Sequence, residues 1–156
     1  MNKLLYLIAF CFLCFSAGFA KEIEKEDVQN FFNDYVNSAN SYDENYFDYY
    51  SSNARIIRVV EKSDGTKESV NIPLDRYKHE VKKSSKLAKL RRYKNKYLNV
   101  KIFKQGDDYK VVAMRMPSTS DYQLPSHFII GDDNGQLKIK EESMNTRVQR
   151  FLKKEE

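Results

Sequence analysis

The residues that most often carry metal or proton-transfer chemistry are sparse in this chain and show no catalytic spacing. The two histidines, His79 and His127, form no H-x-x-x-H or H-x-H pattern, which a metal site on one helix or strand would need. Both cysteines, Cys11 and Cys14, lie in an apolar N-terminal run. The sequence contains neither a G-x-S-x-G nucleophile turn nor a glycine-rich phosphate loop. It therefore predicts no metal ion and no cofactor.

Two arginines stand in otherwise apolar strand-like runs, Arg58 in ARIIRVV and Arg115 in VVAMRMP. A guanidinium in such a strand either emerges at the solvent face or reaches into a polar cavity to hold a carboxylate or phosphate. Solvent exposure is the commoner outcome, because charged groups are seldom buried. An inward-pointing arginine would favour an anionic or carbonyl-bearing ligand between aromatic walls from Tyr46, Tyr50 and Tyr97.

His127, in LPSHFII, and Glu141, in LKIKEESM, are the remaining candidates for acid–base work. Alternate strand residues face opposite ways, so His127 shares a face with Ile129 and lies either in a pocket or on the other side of the sheet. His79 lies among lysines, where a solvated imidazole is expected. The acidic run GDDNG, residues 131–135, is interpreted as a tight turn because its spacing does not match a calcium-binding loop.

The first twenty residues have the composition of a secretory signal peptide. Lys3 precedes an apolar run over residues 4–15, and small residues, Gly18 and Ala20, precede an abruptly charged segment. This run of twelve residues is too short for a bilayer span, which needs about 20. We therefore expect cleavage after Ala20, a signal peptide over 1–20, and a single secreted or periplasmic domain over 21–156.

The charge is distributed unevenly along the chain, whose formal net charge is +5. Residues 21–50 hold two cationic and eight anionic side chains, whereas residues 76–104 hold twelve cationic and one anionic. Such asymmetry indicates surface partners rather than a fold. Outside the cytoplasm those partners would be phospholipid head groups, cell-wall polymers or acidic proteins, and nucleic acid is not expected.

The basic segment combines a helix with the start of a strand. Periodicity places one row of cations on each element: Lys78, Lys82, Lys86 and Lys89 on the helix, and Arg92, Lys94 and Lys96 on the strand. The preference for lysine indicates loose, hydrated electrostatics, either a solvated face or a site for an anionic surface. Beyond Lys96 the apolar alternation changes sides, so the strand either overhangs the core or contains a β-bulge.

Hydrophobic periodicity predicts an α+β domain with helices on one face of a curved antiparallel sheet. A first helix is expected over 24–40, a short helix within 42–50, a hairpin turning at Asp64–Gly65, and a helix over 74–90. Strands separated by turns follow, and the tail is either a short helix or frayed. The short helix would gather four phenols on one side: Tyr42, Tyr46, Tyr49 and Tyr50.

This order of elements resembles that of the NTF2-like superfamily, which includes nuclear transport factor 2, ketosteroid isomerase and SnoaL-like proteins. DYVNSANSYDENYFDYYSSNARIIRV, residues 34–59, is similar to the passage from the first helix to the first strand, and LKIKEESM, residues 137–144, to the final strand. The resemblance covers nearly all of residues 21–156. It implies a cone of curved sheet packed against two to three helices, and a homodimer formed through the outer sheet face.

The same resemblance bears on catalysis. Tyr35 stands where the isomerases place a tyrosine that stabilises an oxyanion, and Arg58 stands where they place the aspartate that moves the proton. A guanidinium cannot act as a general base, so the isomerase chemistry is not implied for this chain. Tyr35 is then expected at the edge of the core with its hydroxyl in water.

We predict an exported, non-catalytic accessory module of the bacterial cell envelope that binds a small hydrophobic or anionic ligand or an envelope protein. Its candidate cavity residues are Tyr35, Tyr46, Tyr50, Arg58, Tyr97, Arg115, His127 and Glu141. One alternative is a SnoaL-like enzyme acting on a small hydrophobic carbonyl substrate through Tyr35, His127 or Glu141. Another is attachment to the envelope surface through the lysine-rich face. Convergence of three of the residues Arg58, Arg115, His127 and Glu141 on one cavity would favour the enzyme.

Overall fold

Two α-helices and a six-stranded sheet dominate residues 22–152, the part of the chain that the computed structural model describes. The predicted signal peptide lies outside the described residues. In chain order the elements are α1 Lys25–Ser41, a 3₁₀ helix Glu44–Tyr49, β1 Tyr50–Glu61, β2 Lys67–Ile72, α2 Leu74–Leu90, β3 Asn95–Gln105, β4 Asp108–Pro117, β5 Leu124–Asp133, β6 Gln136–Thr146 and a 3₁₀ helix Gln149–Leu152. Within this part of the chain, neither α-helix has the length and apolar character of a membrane span.

The helix α1 forms where the sequence supplies both an N-terminal cap and an apolar stripe. The backbone N–H of Glu24 donates to the Asp27 carboxylate at 3.0 Å, which satisfies a donor that the first turn leaves free. The helix buries one side, composed of Val28, Phe32, Tyr35 and Ser38. Tyr42 ends the helix in the left-handed region, with φ of 61°. This side of α1 supplies the aromatic centre of the core.

The sheet has the strand order β2-β1-β6-β5-β4-β3 and is curved and unclosed. The predicted α+β architecture, a cone of sheet packed against helices, is confirmed. The sheet is mixed rather than antiparallel throughout, because β1 and β6 run parallel while the other neighbours run antiparallel. Alternation within a strand specifies which side chains share a face but carries no information on the direction of the neighbouring strand.

Strand alternation gives this sheet two faces of different character. The inner face packs against the helices and includes Ile56, Val111 and Phe128, each 0% exposed. Phe128 lies 5.0 Å from the ring of Phe32 and 5.5 Å from that of Tyr35, measured between ring centroids. The outer face carries the intervening residues of each strand, which are half-buried or exposed over most of β1 and β4. The core therefore lies between α1 and the inner face.

Two irregularities in the strands decide which side chains reach that core. In β3 the register shifts between Leu98 and Lys101, and Asn99 has a φ of 54°. This bulge explains why the apolar alternation changes sides beyond Lys96, and it decides between the two alternatives left by the sequence. In β6, Ile139 pairs with Ile130 but Glu141 pairs with Ile129, so Lys140 is an extra residue.

The segment predicted as a short α-helix is a 3₁₀ helix followed directly by β1, and its four tyrosines do not share one side. Tyr46 and Tyr50 are buried in the core. The Tyr42 hydroxyl instead donates to the carbonyl of Tyr93 at 2.8 Å, and Tyr49 packs its ring 5.4 Å from that of Phe31. Only Tyr46 and Tyr49 belong to the 3₁₀ helix, because Tyr42 caps α1 and Tyr50 begins β1, so the four phenols are distributed over three elements.

Candidate functional site

The inner face carries a buried carboxylate, Glu142, that no sequence argument singled out. Its side chain is 0% exposed. Arg58 places Nη2 2.6 Å from Oε1, and the Tyr35 hydroxyl donates to Oε2 at 2.9 Å. The Tyr50 hydroxyl donates to the same oxygen. Glu142 therefore accepts from one cation and two phenols, as an ionised carboxylate does.

The hydrogen bonds around Glu142 extend through further tyrosines. The Tyr46 hydroxyl lies 3.1 Å from that of Tyr35, 2.7 Å from that of Tyr50 and 3.3 Å from that of Tyr77, which comes from α2. The Arg58 guanidinium also lies 5.0 Å from the centroid of the Tyr77 ring, a cation–π distance. We call this set the inner polar cluster: Tyr35, Tyr46, Tyr50, Arg58, Tyr77 and Glu142.

Burial shifts the pKa values of the phenols and of the guanidinium in the inner polar cluster. Burial, followed by the negative charge of Glu142, raises the pKa values of Tyr35 and Tyr50 well above that of ordinary tyrosine. Burial likewise raises the pKa of Tyr46. For Arg58, burial alone lowers the pKa, but the Glu142 carboxylate, with Tyr77 and Tyr50, outweighs burial, and the pKa lies above the ordinary value. The phenols thus remain donors, the guanidinium remains charged, and neither is a proton acceptor at neutral pH.

Arg58 takes the less common of the two orientations that the sequence analysis left open. Its place in the strand left the solvent face as the commoner outcome, yet the residue is buried, because Glu142 supplies the counter-charge that makes burial tolerable. The prediction that the Tyr35 hydroxyl reaches water is wrong for the same reason. Tyr35 is 1% exposed, and its hydroxyl is bound to Glu142 and two other phenols.

Arg115 also points inward, but without a carboxylate partner among the described residues. Its Nη1 donates to Asn95 Oδ1 at 3.0 Å and its Nη2 to the carbonyl of Asn145 at 3.1 Å. Its Nε is buried and has no hydrogen-bond partner within residues 22–152. Tyr97, on the neighbouring strand, packs 5.4 Å from Phe32, and burial raises its pKa.

His127 and Glu141 lie on the outer face of the sheet. His127 Nε2 lies 2.9 Å from Glu141 Oε1, and Arg55 pairs with the other carboxylate oxygen. Beside them is a hollow of about 350 Å³, lined in part by His127, Val112 and Met114. The arrangement is an ion-paired polar group beside half-exposed apolar side chains, with Lys101 and Lys110 also lining the hollow.

The eight predicted cavity residues therefore do not share one cavity. Four of them belong to the inner polar cluster, Tyr97 and Arg115 lie further along the same face, and His127 and Glu141 are separated from all of these by the sheet. The bulge at Lys140 is the cause, since it turns Glu142 inward and Glu141 outward. The two adjacent glutamates in KIKEES were the available signal, because in a strand one of the two must face the core.

The lysine-rich face is exposed, as its helical spacing indicated. Lys82, Lys86 and Lys89 on α2 are exposed and Lys78 is half-buried. Arg92, Lys94 and Lys96 are also exposed, but the prediction that all three lie on the strand is wrong, because β3 begins at Asn95 and only Lys96 belongs to it. His79 is exposed as well. Over the described residues, no three side chains of His, Cys, Asp or Glu are grouped to hold a metal ion.

The fold that positions these groups is NTF2-like. A similar solved structure is an NTF2-like protein with a cystatin-like fold from Novosphingobium aromaticivorans, with a TM-score of 0.58 and 8% identity over 83% of this chain and 88% of that chain. The β subunit of the benzoate 1,2-dioxygenase from Burkholderia mallei has a TM-score of 0.54 and 16% identity over 80% of this chain and 91% of that chain.

A complex of the yeast deubiquitinase Ubp3 with its cofactor Bre5 also contains a similar chain. It has a TM-score of 0.57 and 16% identity over 76% of this chain and 92% of that chain. At such identities the likeness extends to the fold alone. No protein-family model and no curated protein sequence matches the chain.

Proposed function

We propose that the chain is a non-catalytic module of the bacterial cell envelope, exported by its N-terminal signal peptide, which binds another protein through the outer face of its sheet. The observation that carries the proposal is the state of the inner polar cluster. The carboxylate at its centre, Glu142, is 0% exposed and is saturated by Arg58, Tyr35 and Tyr50. A base or acid that is fully occupied by structural partners has no capacity for proton transfer with a substrate.

The catalytic alternative needs residues that this fold keeps apart. Tyr35 lies in the inner polar cluster, whereas His127 and Glu141 lie across the sheet on the outer face. A substrate could not contact both sets at once, and general acid–base catalysis requires each group within hydrogen-bond reach of the reacting atoms. The geometry therefore favours binding over a SnoaL-like reaction.

The outer face has the composition of a protein contact surface. Ile57, Val112, Met114 and Ile129 keep part of their exposure there, and they surround the paired side chains of His127 and Glu141. Contact surfaces typically combine an apolar centre with a few placed polar groups. Two structures with this fold come from assemblies, the dioxygenase β subunit and the deubiquitinase–cofactor complex, which supports a role in assembly.

Site-specific photo-cross-linking in the source organism tests the proposal. A photoreactive amino acid replaces Val112 at the centre of the outer face, and a matched control replaces Ser84, an exposed residue of α2. We expect a discrete adduct from position 112 only, with a mass that tells a second copy of the chain from a different protein. No adduct at position 112, or the same adducts at both positions, would refute binding through this face.

Export and catalysis are tested separately. Fractionation should place the processed chain outside the cytoplasm, and retention of an unprocessed chain in the cytoplasm would contradict the envelope location.

The non-catalytic role is tested with carbonyl compounds as substrates. Turnover by the wild type that is lost in Glu142→Gln, while the thermal stability of the variant is unchanged, would contradict that role.

A further inference from the structure

The side of α2 that faces away from the sheet carries two exposed leucines among lysines. The helix has no fully buried residue and contacts the core through the half-buried side chains of Leu74 and Tyr77. Because an α-helix advances by about 100° per residue, Lys83, Leu87 and Leu90 fall within about 60° of one another on the opposite side. Leu87 is 49% exposed and Leu90 is 80% exposed.

Within the part of the chain that the structure describes, the cations around these leucines have no acidic partner. Exposed lysines and arginines run from the helix into the turn and strand that follow: Lys82, Lys83, Lys86, Lys89, Arg91, Arg92, Lys94 and Lys96. Within residues 22–152 none of them forms an ion pair with an acidic side chain. Elsewhere on the described surface several cations are paired, as in Lys62–Glu68 at 2.6 Å and Lys140–Asp108 at 2.7 Å, so the unpaired cations are most concentrated around these leucines.

We propose that this basic leucine face, formed by Lys82, Lys83, Lys86, Leu87, Lys89 and Leu90, binds the surface of a bilayer that contains anionic phospholipid. Lipid phosphates would neutralise the lysines, whose long stems let the ammonium groups stay at the head-group level. The two leucines would enter the boundary between head groups and acyl chains, as the apolar side of an interfacial helix does.

The two exposed leucines indicate a bilayer rather than a soluble anionic partner. A soluble polyanion or an acidic protein loop would satisfy the lysines by charge but would leave Leu87 and Leu90 in water. A bilayer satisfies both, since it offers negative charge above an apolar layer. The opposite side of α2 packs toward the inner face through Tyr77 and Arg58, so the outer sheet face stays available to a protein partner. The inference thus goes beyond the proposed function and does not depend on it.

Vesicle co-sedimentation tests the inference with the chain as processed by an exporting host, and with the full-length chain in parallel. The vesicles contain phosphatidylcholine alone or phosphatidylcholine with phosphatidylglycerol, at low and at physiological salt. We expect binding only to the anionic vesicles, with an affinity that falls as salt rises. Binding to neutral vesicles of equal strength, or no binding to anionic vesicles, would overturn the proposal.

Two double variants separate charge from apolar insertion. Lys83→Gln with Lys86→Gln should weaken binding to anionic vesicles by about 30-fold at low salt. Leu87→Asn with Leu90→Asn, which keeps every charge, should weaken it by at least about fivefold. The control, Lys25→Gln with Lys67→Gln, removes the same charge from exposed sites elsewhere and should change binding by less than about threefold.

The double leucine variant also distinguishes a bilayer from a polyanion that is bound by charge alone. If it binds anionic vesicles as tightly as the wild type while heparin displaces both, the surface recognises polyanions by charge alone and the bilayer proposal fails. Circular dichroism of each variant shows whether α2 is intact. Weaker vesicle binding by a variant whose helix content is unchanged supports the proposal. If vesicle binding is weaker only in variants that lose helix content, the result contradicts the proposal.

Discussion

Glu141 and Glu142 are neighbours on β6, and each pairs with an arginine of β1, yet the two ion pairs lie on opposite faces of the sheet. On the inner face, the side chains of Arg58 and Glu142 are 7% and 0% exposed. On the outer face, those of Arg55 and Glu141 are 69% and 11% exposed. The same two functional groups, a guanidinium of β1 and a carboxylate of β6, therefore form one pair that is fully buried and one whose arginine is largely exposed to solvent.

The comparison shows how location decides what a pair of charges does. Water competes for Arg55, so the outer pair contributes little to stability and its guanidinium is accessible to a binding partner. Water does not reach the inner pair, so each charge depends on the other and on the surrounding phenols. The inner pair thus specifies how β1, β6, α1 and the 3₁₀ helix Glu44–Tyr49 come together, and the outer pair belongs to the surface that we propose for binding.

The largest expected effect is that of removing the inner cation. Arg58→Met leaves Glu142 as a buried carboxylate without a counter-charge, which typically costs about 3–5 kcal/mol. Urea unfolding followed by circular dichroism measures the change in free energy, and tyrosine fluorescence gives a second probe because the chain has no tryptophan. A loss below about 1 kcal/mol would mean that the inner pair is not structural.

Alkaline pH should weaken the fold through the same cluster. Burial in the folded state raises the pKa values of Tyr35, Tyr46 and Tyr50. A tyrosine in the unfolded chain ionises at about pH 10. The unfolded chain therefore releases protons that the folded chain retains, so stability is complete below about pH 10 and is lost as pH rises above it. Urea unfolding at a series of alkaline pH values measures this slope, which should be smaller in Tyr50→Phe.

Loss of a single phenol hydroxyl should have an intermediate effect. Tyr50→Phe removes one of the donors to Glu142 and should lower the free energy of unfolding by about 1–3 kcal/mol. Tyr49→Phe is the matched control, because Tyr49 packs its ring on Phe31 and its hydroxyl has no hydrogen bond within the described residues. Its free energy of unfolding should change by less than about 0.5 kcal/mol. Equal losses in the two variants would assign the effect to ring packing rather than to the cluster.

The smallest effect is expected on the outer face. Arg55→Met breaks the pair with Glu141 but leaves that carboxylate bound to His127 and partly hydrated. The free energy of unfolding should fall by less than about 1 kcal/mol. A loss as large as that of Arg58→Met would show that the outer pair is structural too.

The elements of this fold could be predicted from local patterns, whereas the centre of the inner polar cluster could not. Apolar spacing predicted a helix over 24–40, and the structure has α1 at Lys25–Ser41. The dipeptide Asp64–Gly65 predicted the first hairpin, and Gly65 indeed has a positive φ of 82°. These features depend on residues close together in the chain.

The partners of the inner polar cluster are far apart in sequence. Arg58 and Glu142 are 84 residues apart, so no local pattern indicates that the arginine would be neutralised and buried. The bulge at Lys140 shifts the faces of β6 by one residue, and strict alternation therefore selects Glu141 instead of Glu142. The sequence singled out Arg58 as a candidate but not Glu142, the carboxylate that it holds.

Double-mutant cycles on the two ion pairs test the central claim most directly. One cycle combines Arg58→Met with Glu142→Gln, and the other combines Arg55→Met with Glu141→Gln, with all free energies of unfolding measured in urea. We predict a coupling energy of about 2–3 kcal/mol for the inner pair and below about 1 kcal/mol for the outer pair. Equal coupling energies, or a larger value for the outer pair, would contradict the assignment of the inner pair to structure and of the outer face to binding.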